Sequence, residues 1–342
     1  MTQLMKRWQL SAFGTENLHI ADVPLPEPGF NELLVKVSAV SLNYRDKLVL
    51  EGKLLHDVPK MPFTPVSDMA GVVVSAGPGV SRFHPGDRIV GNFWTQWLDG
   101  DAPEDMVHHG RSLGGPLPGM LSEYVVLHED MAVASPGNLS DEEASTLPVA
   151  ALTAWFALVE TGKIRRGQKV LVQGTGGVAL AGLQLARAFG AEVTVLSRSE
   201  EKLQRAKSLG AAHLINIRTV PEWSKQADEI TGGHGFDHIL ELIGGDNLRH
   251  SADALAPGGR IAQIGFLGGD RIVLSAIPLM LKRVIIQGIT VGHRRALEDL
   301  CRAVEHHQIK PAIDKVYSFS EAKTAFSHLD RGPFGKIVIR IG

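Results

Sequence analysis

Hydrophobic positions fall into two textures along the chain. From the N-terminus to about residue 140 they form short Val-rich runs separated by Pro and Gly. Leu33 to Val40 is one run, after the turn signal Pro28-Gly29; Gly71 to Ser75 is a second, ended by Gly77-Pro78-Gly79; Arg88 to Val90 is a third, after Pro85-Gly86-Asp87. Short β-prone runs punctuated by turn residues predict a β-rich, barrel-like region. Near Ser140 the pattern changes. Ser140-Asp141-Glu142-Glu143 has the form of a capping box, in which Ser140 accepts from a free helix N–H and Glu143 reaches back. Strand-like and helix-like segments then alternate. The pattern predicts strands over 169–173, 192–196, 213–216, 237–241, 260–264 and 284–288. It predicts helices over 177–189, 199–209, 222–229, 247–256 and 296–306. Such alternation predicts an α/β protein with a doubly wound parallel sheet. The tail from Lys315 is mixed and ends in a strand over 336–341.

Length and composition narrow the partners. The 342 residues suggest two domains. Lys plus Arg number 35 and Asp plus Glu 37, a formal net charge of −2, which provides no basic field for nucleic acid. The single cysteine, Cys301, excludes an internal disulfide framework and a multi-thiolate metal site, and fits a reducing compartment. Its neighbours Leu297, Leu300 and Val304 predict a buried structural thiol. The strongly apolar stretch from Ile272 to Leu281 is interrupted by Ser275 and Pro278 and is far short of the about 20 residues that span a bilayer. The expectation is a soluble cytoplasmic protein with no membrane partner. Residues 93–119, with Trp94, Trp97, His108 and His109, interrupt the β-rich half. They read either as a surface loop with a short helix or as a lid over a pocket.

The strongest chemical signal runs from Lys169 to Ala179. An apolar strand enters Gly174-Thr175-Gly176-Gly177-Val178-Ala179, and an apolar helix follows. In such a turn the first Gly permits the tight bend and the second lets backbone approach a pyrophosphate. Ala179 keeps the helix close to the strand. The helix N-terminus adds free N–H groups and a partial positive charge. The next strand ends in Ser197-Arg198-Ser199, with Lys202 following, and no carboxylate stands at the strand end to hold both ribose hydroxyls. Hydroxyl, guanidinium and ammonium groups suit a dianionic 2′-phosphate, which favours NADPH over NADH. The plainer alternative is that Arg198 and Lys202 decorate a solvated helix start.

With these motifs in order, the chain resembles the medium-chain dehydrogenase/reductase superfamily. The resemblance covers nearly the whole sequence. It rests on Gly71-Val72-Val73 with Gly77, Val80 and Pro85-Gly86-Asp87-Arg88-Ile89, on Leu147-Pro148 and Leu152-Thr153-Ala154, on the 174–178 turn and on Gly335-Lys336. It implies a β-rich GroES-like catalytic domain, residues 1–140 with 290–342, split around a Rossmann dinucleotide-binding domain, residues 141–289. It places the active site in the cleft between them. It also implies a homodimer that extends a sheet through the last Rossmann strand, 284–288.

Zinc-containing members of that superfamily carry Cys and Gly-His-Glu ligands; the matching positions here are Asn43, Val66-Ser67-Asp68 and Val149, so no metal is expected. The histidine pairs 108–109 and 306–307 do not restore a site, because adjacent residues do not share a helix face. The stretch Ser41-Leu42-Asn43-Tyr44-Arg45-Asp46 and the tail Arg331-Gly332-Pro333-Phe334-Gly335-Lys336 resemble the zinc-independent quinone oxidoreductase and enoyl reductase branch. The resemblance implies that Asn43 faces the nicotinamide ribose and that Thr153 contacts the nicotinamide end. Gly265-Phe266-Leu267, with Val291, would line that pocket, and Arg331 and Lys336 would lie near the cofactor.

The implied reaction is hydride transfer from NADPH to a quinone or to the β-carbon of a conjugated carbonyl compound, leaving an enolate to be stabilised and protonated. Tyr44 is the candidate donor, since a phenol can polarise a carbonyl; a packed aromatic is its structural alternative. Arg45 and Asp46 read either as part of the site or as a structural ion pair that positions a loop. For Asp68 two readings stand open: orienting a water or proton relay, or bonding the backbone of the Gly71 turn. Reduction of a C=O bond, as in an alcohol dehydrogenase or carbonyl reductase, and non-catalytic NADPH binding are the competing functions.

Overall fold

The computed structural model describes residues 3–54 and 59–342. They form two compact units: one from the described residues up to Leu152 together with 292–342, the other from residues 153–291. The first contains β1 (Leu4–Leu10), β2 (Leu18–Pro24), β3 (Glu32–Leu42), α1 (Tyr44–Leu50), β4 (Asp68–Ala76), β5 (Arg88–Gly91), β6 (Tyr124–His128) and β7 (Ala132–Ala134). The chain continues through α2 (Asp141–Ala144), a π-helical turn over Leu147–Ala151 and α3 (Leu152–Trp155), within which the division falls.

The capping box forms as its residues predict. Ser140 N donates to Glu143 Oε2 at 2.9 Å, and Glu143 N donates to Ser140 Oγ at 3.2 Å. The division lies twelve residues beyond the expected 140/141, because the 141–145 segment is bonded into the first unit. Arg88 holds Asp141 (Nη2 to Oδ1 2.5 Å), Arg340 holds Glu142 (2.7 Å), Lys310 holds Glu143 (2.9 Å), and Ser41 Oγ donates to the Ser145 carbonyl (2.9 Å). Those partners lie far away in sequence, so no local pattern announces them.

The second unit contains β8 (Lys169–Gln173), α4 (Gly177–Ala188), β9 (Glu192–Ser197), α5 (Glu200–Ser208), β10 (His213–Asn216), α6 (Trp223–Thr231), β11 (Phe236–Glu241), α7 (Asn247–Ala254), β12 (Leu255–Gln263), α8 (Ala276–Lys282) and β13 (Ile285–Gly288). The strands form one parallel sheet in the order β10-β9-β8-β11-β12-β13. The order reverses direction between β8 and β11, the switch point at which a doubly wound sheet opens a crevice beyond its strand ends. β12 begins earlier than its 260–264 pattern suggests, because Leu255 already pairs with Phe236 ahead of an irregularity in register. Leu171, Leu196, Ile215, Trp223, Phe236, Ile239 and Ile261 build the core of this unit.

The chain then returns to the first unit through α9 (Arg294–His306), β14 (Ile313–Ser318), α10 (Ala322–Leu329) and β15 (Lys336–Arg340). The resulting mixed sheet has the order β14-β15-β3-β4-β5-β7, with β6 also on β3. α9 buries Leu297, Leu300, Cys301 and Val304, one apolar stripe at helical spacing. Residues 93–119 carry a single 3₁₀ turn over Glu104–His108, with Phe93, Trp94, Trp97 and Leu113 buried. The carbonyls of Trp97 and Leu98 accept from the backbone N–H groups of Arg294 and Arg295, tying this segment to the start of α9.

Candidate functional site

In the first unit the strand registers gather a buried polar cluster. β3 and β4 run antiparallel with Ser41 opposite Asp68, and β15 lies against the other edge of β3 with Ile337 opposite Leu42. One step further along that register, Lys336 meets Asn43. Asn43 Nδ2 donates to Asp68 Oδ2 at 2.8 Å, and Ser41 Oγ donates to the same oxygen at 3.0 Å. Lys336 Nζ lies 2.5 Å from Asn43 Oδ1 and 3.4 Å from Asp68 Oδ2. All four side chains are buried, Asp68 and Ser41 completely. Asp68 Oδ1 is buried too, with no hydrogen-bond partner among the described residues.

Burial pushes the Asp68 carboxyl up to about 6, against the pull of Lys336, Asn43 and Ser41. Burial likewise holds Lys336 below the usual lysine value, opposed by Asp68 and Asp46. The expected bond from Asp68 to the backbone of the Gly71 turn does not form: its partners are the side chains of Ser41, Asn43 and Lys336. The reason is the three-strand register, which no contiguous motif encodes.

A second polar layer supports the first. Asp46 Oδ2 accepts from Asn43 N at 2.8 Å, closing the start of α1, while Asp46 Oδ1 accepts from Ser67 N (3.1 Å) and Ser67 Oγ (2.6 Å). Arg45 bonds Ser67 Oγ and donates to the carbonyls of Leu113 (3.1 Å) and Gly115 (2.8 Å), with its guanidinium 4.6 Å from the Phe93 ring centroid. The Arg45–Asp46 pair therefore holds a loop in place, as a structural ion pair does. Val66, just before Ser67, is fully buried with φ +79°, an uncommon conformation for a β-branched residue and one that marks a constrained site. Tyr44 begins α1 and is 45% exposed, more open than the buried aromatics of this unit. Arg331 is exposed, whereas Lys336 is buried.

These donors do not suit a metal ion. Val149 offers no ligand atom, Asn43 Oδ1 is engaged by an ammonium, and Asp68 Oδ2 already takes three donors. Among the described residues no group of three or more His, Cys, Asp or Glu side chains is placed to hold a metal ion.

In the second unit, β8 runs into the 174–178 turn and α4. Gly174 sits at φ +83°, which favours glycine, and its N–H donates to the Leu196 carbonyl at 2.6 Å, joining the turn to β9. A Cβ at Gly174 or Gly176 would meet open space, so backbone is reachable from outside at both. Leu180 N is the amide that bonds back to Gly176 O, which leaves the first-turn amides of α4 for a ligand. Thr175 is buried beside them. The turn thus fits a pyrophosphate.

The close helix–strand approach also involves a residue the motif does not name. A Cβ on Gly182 would lie 2.5 Å from Leu240 Cδ1 and 3.3 Å from Val172 Cγ1. At the end of β9 Ser197 is buried and Arg198 exposed, with Ser199 accepting from Lys202 N to cap α5. Phe266 and Leu267 are exposed in the turn after β12, and the Gly265 backbone abuts Gly244. Thr153 and Val291, at the two ends of this unit, are buried; Val291 has φ +61°.

Beside the turn lies a buried network that sequence reasoning missed. Glu241 is fully buried at the end of β11 and accepts from Gln173 Nε2 (2.9 Å), Ser251 Oγ (2.5 Å), Asn247 Nδ2 and the amides of Ile243 and Gly244. It pins the 242–247 turn to β8. Its only signal in the sequence was a carboxylate ending an apolar strand.

Comparison with known proteins agrees with this architecture. The model for the alcohol dehydrogenase GroES-like domain matches residues 29–137, and that for zinc-binding dehydrogenases matches residues 177–306. A zinc-type alcohol dehydrogenase-like protein of Schizosaccharomyces pombe is 40% identical over 96% of both chains. A chloroplastic quinone oxidoreductase of Triphysaria versicolor is 30% identical over 98% of both. A crystal structure from Sinorhizobium meliloti, described as an alcohol dehydrogenase candidate, superimposes with a TM-score of 0.95 at 52% identity over 100% of both chains.

Proposed function

The chain belongs to the medium-chain dehydrogenase/reductase superfamily of oxidoreductases, and within it we propose a zinc-independent, NADPH-dependent reductase of quinones or of the C=C bond of α,β-unsaturated carbonyl compounds. The observation that carries this reading is the Lys336 ammonium lodged against Asn43 and Asp68, at positions where zinc-containing members place ligands. Hydrogen-bond donors then have to meet developing negative charge. A quinone or conjugated carbonyl asks less of them than an isolated carbonyl, because the negative charge left by hydride addition delocalises over the enolate or the hydroquinone anion.

NADPH, when bound, supplies hydride from C4 of its nicotinamide. The backbone of Gly174 to Val178 and the start of α4 bind the pyrophosphate, and Ser197, Arg198 and Lys202 bind the 2′-phosphate. Thr153, Gly265, Phe266, Leu267 and Val291 border the nicotinamide, with Arg331 near the cofactor. Tyr44 donates to the carbonyl oxygen and passes its proton to the enolate. The likeness to a quinone oxidoreductase supports this substrate class. The alcohol dehydrogenase-like relatives favour C=O reduction as the second reading.

Incubation with NADPH and a simple conjugated enone separates the two. A saturated ketone supports the first reading and an allylic alcohol the second. NADPH binding without turnover of enones or quinones defeats both and leaves a binding protein.

The working form we propose is a cytoplasmic homodimer. β13 pairs with β12 along one edge, while Ile285, Ile286 and the α8 residues Ile277, Met280 and Leu281 are exposed. An open strand edge flanked by apolar side chains favours pairing with another copy. Light scattering on wild-type protein and Leu281→Glu tests it: a dimer that the substitution dissociates supports the interface, and a wild-type monomer removes it. Among the described residues no helix is long and apolar enough to cross a membrane.

A further inference from the structure

We propose that Lys336 is a positioning residue that fixes Asn43 as a hydrogen-bond donor, by occupying its amide oxygen and by keeping Asp68 as an ionised acceptor for its amide nitrogen. An asparagine amide can present either oxygen or nitrogen, and flipping it exchanges an acceptor for a donor. Here both ends are engaged. The oxygen faces an ammonium at 2.5 Å and the nitrogen faces a carboxylate at 2.8 Å. A flipped amide would set its N–H₂ against Lys336 and its oxygen against Asp68, two repulsive contacts in a buried site. One N–H of Asn43 is used by Asp68; the remaining N–H is what the side chain offers a ligand. Such a donor takes an acceptor oxygen, either a hydroxyl oxygen of the cofactor or a carbonyl oxygen of the substrate.

The charges around the cluster are few. Asp68 on β4 and Asp46 on α1 act on Lys336, and Arg45 on α1 also feels Asp68. Lys336 is the cation bonded to both Asn43 and Asp68. Removing it therefore raises the pH at which Asp68 takes up a proton. A protonated Asp68 holds the amide less firmly, because a neutral carboxyl is a weaker acceptor than a carboxylate.

The role in reduction rests on the proposed function, but the positioning does not, so the test reads them separately. Carbon-13 NMR of the Asp68 carboxyl and proton–nitrogen NMR of the Asn43 amide are followed against pH in wild type and Lys336→Met. The expected result is an Asp68 midpoint near 6 in wild type, moved up by more than one pH unit in the variant, with Asn43 amide protons that exchange at least about tenfold faster. An unmoved midpoint and unchanged amide exchange overturn the proposal. If Lys336→Met does not fold, wild type alone decides: Asn43 amide exchange must accelerate as Asp68 becomes protonated, and pH-independent exchange overturns the proposal.

Two further arms assign the acceptor. A weaker NADPH Kd in the variant identifies a cofactor oxygen. An unchanged Kd with reduced kcat and a shifted pH profile on the enone identifies the substrate oxygen. Absence of enone and quinone turnover in wild type counts against the proposed function alone.

Discussion

Lys336 Nζ lies 2.5 Å from Asn43 Oδ1, although 293 residues separate the two along the chain. The last strand lies antiparallel to β3 and delivers an ammonium to the cap of α1. Asp68, fully buried, sits beside this pair.

Asp68 should leave a signature in the pH dependence of stability. Its carboxyl is held at about 6, above the ordinary 3.8. A raised folded-state pKa means that the folded chain holds the proton more tightly than the unfolded chain. This group therefore withdraws stability as pH rises from about 4 to about 6. Asp68→Asn removes that slope, on the order of 3 kcal/mol between about pH 4 and about pH 7. Urea unfolding at both pH values checks it, and parallel pH slopes in the two proteins would refute it.

The two glycines of the β8–α4 region should fail differently. Gly174→Ala forces φ +83° on a residue with a Cβ and puts a methyl where a phosphate approaches, so NADPH affinity should fall at least about tenfold with stability lowered by about 1–2 kcal/mol. Gly182→Val drives into Leu240 and Val172 and should cost about 1–3 kcal/mol of stability. Fluorescence titration and chemical unfolding, run on both variants, distinguish loss of binding from loss of packing.

Cofactor preference should rest on Arg198. Exchanging its guanidinium for a carboxylate removes a charge-assisted partner of a 2′-phosphate, about 1.5–3 kcal/mol. Arg198→Glu should weaken NADPH binding by about tenfold or more and leave NADH binding equal or tighter. Equal losses for both cofactors would show that Arg198 does not read the phosphate.

Tyr44→Phe should reduce enone turnover by about 10²-fold or more with the NADPH Kd unchanged, since general acid catalysis contributes at least that much. Turnover equal to wild type would remove the phenol from the mechanism.

Cys301 should be inert in the native protein. Burial pushes its thiol up to about 12, leaving almost no thiolate at neutral pH. A chromogenic disulfide reagent should report no reactive thiol until denaturant is added, and one per chain afterwards. Rapid native labelling would contradict the packing of α9.

Local pattern was enough for much of the architecture. The strands 169–173 and 213–216 appear with their expected limits, because apolar runs between turn residues leave little choice of boundary. The geometry of the glycine turn was legible because its requirements are local: a left-handed Gly174, open backbone at Gly176 and an apolar helix directly after. The capping box at Ser140 was legible for the same reason. Gly182 and Glu241 were not, since the approach of Leu240 and the donors Gln173, Ser251 and Asn247 depend on how β8, β11 and α7 come together.

By itself the sequence determined the two textures, the doubly wound sheet, the glycine turn and the absence of the Cys and His ligands that zinc-containing relatives use. Tertiary structure decided what stands in their place. Ser41, Asp68 and Lys336 come from three strands and Asn43 from the cap of α1, and the antiparallel registers β3–β4 and β3–β15 bring them together. Periodicity along a chain tells which face of a strand is buried, but not which residue of a distant strand lies opposite. In a buried site, that pairing sets both the charge of Asp68 and the orientation of Asn43.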